Sequence, residues 1–145
     1  MFRRPESVLV LVHDQHQQIL TMQRQDDLSF WQSVTGSLEP GEHPEQTAYR
    51  EVLEEINVDI RAMKLKLINL NQSTQYQIRP QWRHRYSPDV TTNTEHWFAL
   101  QIPSHTHIIL TEHVAYEWLS CEAAIEKMWS STNCAAIRAY FPASI

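Results

Sequence analysis

The first apolar stretch of the chain, SVLVLV over 7–12, is continuous, and a second, ILTMQR over 19–24, follows after the polar DQHQQ. Two short apolar runs around a polar turn predict a pair of strands closed as a hairpin. Further on, LKLINLNQSTQYQI (65–78) alternates apolar and polar positions through Leu65, Leu67 and Leu70, and TEHWFAL (94–100) does the same, the period of half-buried strands. The intervening RPQWRHRYSPDVTTN (79–93), polar and punctuated by proline, is expected to be loop. AYEWLS (115–120) predicts another short strand, and CEAAIEKMW (121–129) and NCAAIRAYF (133–141) predict two short helices. Without repeats or low-complexity segments, this order describes a mixed α and β chain.

The longest helical pattern starts at Pro44, whose missing N–H is not needed in a first turn, and Gln46 is placed to reach back to the preceding backbone as half of a capping box. It runs to about Ile56. At about 100° per residue, Ala48, Tyr49, Val52, Leu53 and Ile56 share one broad side, while Glu51, Glu54 and Glu55 are expected to converge outward on the other. Like charges three and four residues apart repel by a few tenths of a kcal/mol per pair, roughly. A glutamate-rich helix face is commonly just solvated surface. A cluster this dense also suits a hard divalent cation, which takes oxygen ligands and keeps positions for substrate phosphates.

Composition limits the remaining choices. With 145 residues, 42% of them hydrophobic, the chain has the length of one domain spanning 1–145 and can bury a core. The apolar run in MFRRPESVLVLV is broken by His13 and Asp14, too early for a signal peptide or a membrane span, so a soluble, cytoplasmic protein is expected. Cys121 and Cys134 form no metal-type pair and are expected to stay reduced. The formal net charge of −5 disfavours a nucleic-acid polymer or an anionic membrane as partner, so any phosphate must be met by local groups. Nothing in the sequence fixes an oligomeric state.

The segment 36–58, GSLEPGEHPEQTAYREVLEEINV, holds both glycines of the chain and carries the most specific spacing. It fits GX5EX7REUXEEXGU, with U a bulky apolar residue, at Gly36, Glu42, Arg50, Glu51, Val52, Glu54, Glu55 and Val58. By this signature the chain resembles the Nudix hydrolases. Asn57 stands where the motif has glycine, a position after the helix that needs the left-handed conformation, which Asn tolerates better than other non-glycine residues.

The resemblance implies an α/β fold, an α/β/α sandwich with a mixed sheet and a loop-helix catalytic motif. It implies hydrolysis of a nucleoside diphosphate linked to another group, with Mg²⁺, or Mn²⁺ substituting, as cofactor. Such a cation would neutralise phosphate oxygens, hold the diphosphate bridge and lower the pKa of a bound water. On the matching positions Glu51 and Glu55 are the expected principal metal ligands, with Glu54 supporting them and Arg50 orienting Glu42. Gly36 is expected to bring its carbonyl towards the metal and Gly41 to allow the sharp bend before the helix. An additional acidic residue before the late strand falls at Glu112, as metal ligand or as general base.

Beyond the signature, QRQDDLSFWQSVTGSLEPGE together with RHRYSP, NTEHWF and TEHVAYEWL resembles the bacterial dihydroneopterin triphosphate pyrophosphatases of folate biosynthesis. That branch implies conversion of 7,8-dihydroneopterin 3′-triphosphate to the monophosphate with release of pyrophosphate. Other readings are a Nudix enzyme clearing nucleoside triphosphates, oxidised ones included, and a Nudix-fold sensor without turnover. Candidate substrate contacts are Arg24, Arg3 and Arg4 for phosphate, Arg79, Thr35 beside Gly36, and Tyr76, Trp82 and Tyr86 around a basic RHR for an aromatic ring. Ser130, with Trp129, is a candidate for closing the pocket. Trp31, Trp97 and Trp118 are expected as core aromatics. His105 and His107 have ligand-like spacing but lack a third partner and are read as structural or solvated, whereas His113 is a candidate for orienting a carboxylate.

Overall fold

In the structure, a computed structural model that describes residues 2–128 and 130–142, the elements follow the expected order with several additions. They are β1 (Glu6–His13), β2 (Ile19–Arg24), β3 (Trp31–Gln32), β4 (Val34–Ser37), α1 (Pro44–Ile56), β5 (Leu67–Gln77), a 3-10 helix (Pro80–Arg85), β6 (Thr92–Gln101), β7 (His113–Leu119), α2 (Cys121–Lys127) and α3 (Ser131–Tyr140). The seven strands form one mixed sheet: β1 runs parallel to β6 and antiparallel to β4, and β6 pairs antiparallel with β5. The polar turn after β1 closes on Asp14, whose Oδ1 accepts from the backbone N–H of His16 and Gln18. The expected hairpin is paired only beside its turn, His13 with Ile19, because β2 leaves β1 to pair with β3 and β7.

Parallel pairing at the centre explains why β1 is continuous rather than alternating, since both of its faces are covered. Val8, Val10 and Val12 pack towards α1 with Ala48, Val52 and Ile56, while Leu9 and Leu11 pack on the other face with Ala136 and Ile137 of α3. The result is the α/β/α layering. Trp97 is buried in the α3-side core, and Trp31 and Trp118 are half-buried against the two cores. Cys121 and Cys134 are buried free thiols. No helix among the described residues is long and apolar enough to cross a membrane.

Two expectations are corrected. The segment 79–93 is not all loop: prolines at 80 and 88 bracket a 3-10 turn, and the last residues already belong to β6. On α1, Leu53 is 45% exposed whereas Glu55 is buried with 2% exposed. Seven residues on from Ala48, Glu55 returns to within about 20° of that buried meridian, so its carboxyl enters the molecule instead of pointing outward with Glu54.

Candidate functional site

The loop before α1 is held by one arginine. Arg50 makes a two-pronged bond to Glu42, Nε to Oε2 at 2.9 Å and Nη2 to Oε1 at 2.8 Å, and Nη2 also donates to the Ser37 carbonyl at 3.0 Å. Glu42 further accepts from the Glu39 backbone N–H and the Thr47 hydroxyl. Arg50, before the other donors, pulls the Glu42 pKa down to about 2. Arg4, a phosphate candidate, is instead engaged with the Glu39 and Glu42 carbonyls and with Glu6. Gly41 has φ of 77°, the left-handed bend expected of it, and Asn57 caps the helix at φ 58°, ψ 36° in the same region. At the helix start Gln46 accepts from the His43 N–H at 2.8 Å, completing its half of the capping box.

At Gly36 the structure shows a need for side-chain room. A Cβ there would fall inside the side chain of Glu51, so glycine provides the cradle into which Glu51 folds. Glu51 and Glu55 lie side by side; burial first, and for Glu55 the neighbouring Glu51 next, raises both pKa values, that of Glu55 well above the carboxylate range. Neither oxygen of Glu55 has a hydrogen-bond partner in good geometry. Arg50 Nη1 bonds Glu51 at 2.7 Å and Glu54 at 3.2 Å, and among the described residues no three acidic or imidazole groups converge as a ready-made cation cage. A buried carboxylate without a donor, a second beside it and a glycine cradle fit a divalent cation, whose charge would offset the burial.

A cavity of about 740 Å³ joins these groups to a basic region. Arg24, at the end of β2, is braced by Asp26 through two contacts of 2.6 Å, and its guanidinium lies 4.7 Å from the centre of the Trp82 ring. Arg79 and Arg85 approach the same ring at 5.2 and 5.7 Å, and the Arg3 backbone N–H donates to the Arg85 carbonyl. Burial, then the neighbouring Arg3 and Arg24, lowers the Arg85 pKa, the mark of like charges gathered in one place. Such a cluster beside a carboxylate-lined cation site can take an anion with several phosphates.

Between the two regions stands His113. Arg24 Nη1 donates to Gln32 Oε1 at 3.5 Å, which turns the Gln32 amide nitrogen to His113 Nε2 at 3.1 Å. Nε2 therefore accepts, leaving the hydrogen on Nδ1, which faces Glu55 Oε1 at 4.0 Å. Burial, before the charge of Arg24, lowers the His113 pKa to about 4, so the ring is neutral at ordinary pH. Glu112, next to it, is exposed and lines the cavity.

The structure brings Glu51, Glu54, Glu55, Glu112, Gly36, Arg24, Thr35, Arg3, Tyr76, Arg79 and Ser130 to this one cavity. Trp82 and Tyr86 line it as well, whereas Arg83, His84, His105 and His107 are exposed. Trp129 lies outside the described residues. Sequence reasoning missed Gln32 and Glu95, which share the lining, and had Arg85 only as part of the basic RHR. For Glu95 a signal existed: it alternates onto the same face of β6 as Trp97 and Ala99, the face that is buried in the core.

Comparisons with known proteins agree with this picture. Residues 3–138 match the NUDIX domain. The chain is 46% identical over 134 residues to the dihydroneopterin triphosphate diphosphatase of Escherichia coli K12, covering 90% of this chain and 89% of the relative. It is 38% identical over 140 residues to the enzyme of the same name from Haemophilus influenzae, covering 96% and 89%. The solved structure of the E. coli dihydroneopterin triphosphate pyrophosphohydrolase superposes with a TM-score of 0.92 at 45% identity, covering 97% of each chain. Nudix hydrolases generally use divalent cations.

Proposed function

The chain belongs to the NUDIX family of hydrolases, and from that premise we propose that it cleaves 7,8-dihydroneopterin 3′-triphosphate to the monophosphate and pyrophosphate with Mg²⁺, as a cytoplasmic enzyme of folate biosynthesis. The observation that carries this reading is the joining, in one cavity, of the adjacent carboxyls of Glu51 and Glu55, the latter without a hydrogen-bond donor, and an arginine cluster around Trp82. Relatives named for this substrate over about nine tenths of both chains support it.

Glu51 and Glu55 would hold the cation, with Glu54 and Glu112 completing the oxygen set and Gly36 giving Glu51 its seat. Bound there, Mg²⁺ supplies positive charge to the phosphate oxygens and a fixed position for the diphosphate bridge. Arg24, Arg3 and Arg79 bind the phosphate tail, with Asp26 and the Trp82 face limiting the motion of Arg24 before substrate arrives. His113, neutral and hydrogen-bonded to Gln32, fixes the wall behind Glu55. Glu112, exposed to the cavity, is free to take a proton from the attacking water or to serve as ligand.

The test is pyrophosphate release with Mg²⁺ from dihydroneopterin triphosphate and the eight common nucleoside and deoxynucleoside triphosphates. The expected result is a clear preference in kcat/KM for the pterin. Equal efficiency across the panel would replace this reading with general triphosphate clearance, and binding without release would make the chain a sensor.

A further inference from the structure

On the α3 side of the cavity stands a carboxyl group that the phosphate chemistry does not use. Glu95 of β6 is 3% exposed, opposite Ser7 of β1 and two residues before Trp97, which packs with Leu9 and Ala136. This is the face of the sheet opposite α1. Trp97 Nε1 donates to Oε1 at 3.1 Å, and the Thr132 side chain is a second donor. Both donors are neutral, and they occupy only part of a carboxylate's roughly four acceptor directions. A buried ionised group costs several kcal/mol, roughly, unless its hydrogen bonds are complete. The core would be built more readily from an apolar residue, as at the neighbouring Trp97 and Ala99.

The surroundings indicate what completes it. Tyr76 and Thr132 line the cavity with Glu95, and the Tyr76 hydroxyl bonds to the Ser7 and Asn93 side chains. Burial, then the charge of Glu95, pushes the Tyr76 pKa up to about 12, so Tyr76 stays a neutral aromatic wall. The arginines that suit phosphate gather instead around Trp82. An anionic tail held there avoids the Glu95 charge, while a ring bearing adjacent N–H donors is attracted to it.

We propose that Glu95 reads the ring of the substrate, its carboxylate accepting from the adjacent N3–H and 2-amino groups of the 2-amino-4-oxo edge of a pterin. The proposal rests on the substrate reading given above. Two parallel N–H groups on one edge match a carboxylate as a guanidinium does, by paired hydrogen bonds of fixed direction. Burial makes the pairing selective, because a ring without those donors would leave the desolvated carboxylate unmatched. Burial raises the Glu95 pKa above the ordinary carboxylate range, and two incoming donors act the other way and hold it ionised.

Glu95→Gln keeps the shape and replaces one acceptor with a donor. The expected result is a fall of about thirtyfold or more in kcat/KM for dihydroneopterin triphosphate, carried mainly by KM, the size of one or two charged hydrogen bonds. Pyrophosphate, a probe without a ring, should bind the variant within about twofold of the parent by titration calorimetry in Mg²⁺. As competitive inhibitors, 7,8-dihydroneopterin should bind the parent at least about tenfold better than its 2-oxo counterpart, a gap that narrows in the variant. If the Gln protein does not fold, Glu95→Asp, which withdraws the carboxylate by one methylene, should show the same split between ring and pyrophosphate. Unchanged kcat/KM with an unchanged inhibitor preference, or equal losses for ring and pyrophosphate, would overturn the role of Glu95 alone. A parent protein that ignores dihydroneopterin triphosphate would overturn the substrate reading itself, and Glu95 as pterin reader with it.

Discussion

At the α1 side of the cavity the charges come from a single helix, Glu51, Glu54 and Glu55, and two of the three are pushed against each other out of water. Around Trp82 the charges come from three separate segments, the N-terminus with Arg3, the end of β2 with Arg24, and the 3-10 turn with its cap, carrying Arg79 and Arg85; Arg24 is braced by Asp26 and an aromatic face. The first region gathers like-charged groups, whose repulsion a bound cation would offset. The second is assembled before its ligand, so binding loses less side-chain entropy. On the function proposed above, affinity for a triphosphate would depend on metal at one end and on tertiary assembly at the other.

The largest break in that comparison is expected from Glu51→Gln and Glu55→Gln. Each should lower kcat by on the order of a thousandfold, the scale of several kcal/mol of metal-derived stabilisation. Glu55→Gln should at the same time raise the melting temperature of metal-free protein, because a buried carboxyl whose ionisation is opposed by burial and by Glu51 is replaced with a group that does not ionise. Near-parental turnover in either variant would remove that residue from the metal site. Glu112→Gln separates ligand from base: at limiting Mg²⁺ its rate should fall by about ten- to a hundredfold. Recovery as Mg²⁺ rises marks a ligand, whereas a low kcat that metal cannot restore, with a flattened pH profile, marks a base.

Arg24→Ala tests the preassembled end. Losing one charged contact, worth about 1.5–3 kcal/mol, should reduce kcat/KM by about ten- to a hundredfold for every triphosphate alike. A changed ranking among substrates would mean that Arg24 touches the ring. Gly36→Ala crosses between structure and site, because its new methyl enters the place of Glu51. A loss of about 1–3 kcal/mol in urea unfolding is expected, with a weakened metal response in activity.

The smallest effect concerns pH. Glu42 has a folded pKa of about 2 against an ordinary value of 4.5, so its pairing with Arg50 contributes stability that is present above pH 4.5 and lost as pH falls towards 2. Urea unfolding of the parent should therefore weaken more steeply across that window than unfolding of Glu42→Gln. Parallel pH curves would show that the Arg50 bridge adds nothing to the folded state.

Much of the α1 side was legible because its information is local. Pro44, Gln46 and the left-handed Asn57 mark the helix ends, and the signature from Gly36 to Val58 places its glutamates on one short segment. The helical period also contained the burial of Glu55, seven residues after Ala48, yet its charge argued for the outer face. The brief β3 and β4 were not foreseen, since two and four residues carry too little periodicity and owe their state to β2 and β1.

By itself, then, the sequence determined the strand and helix order, the signature loop and helix, and the residue types available for phosphate, because these depend on contacts between near neighbours along the chain. Tertiary structure decided which arginines meet. Arg85 turned inward while Arg83 of the same RHR stayed exposed, and Arg3 and Arg4 both reached the cavity wall, Arg4 while also bonding the loop before α1. It also decided that Glu95 is a buried carboxyl in the cavity wall, a fact set by the parallel pairing of β6 with β1 and the packing of α3 over that face. Burial and charge proximity are properties of distances between segments remote in sequence, and pKa values and binding geometry follow from those distances.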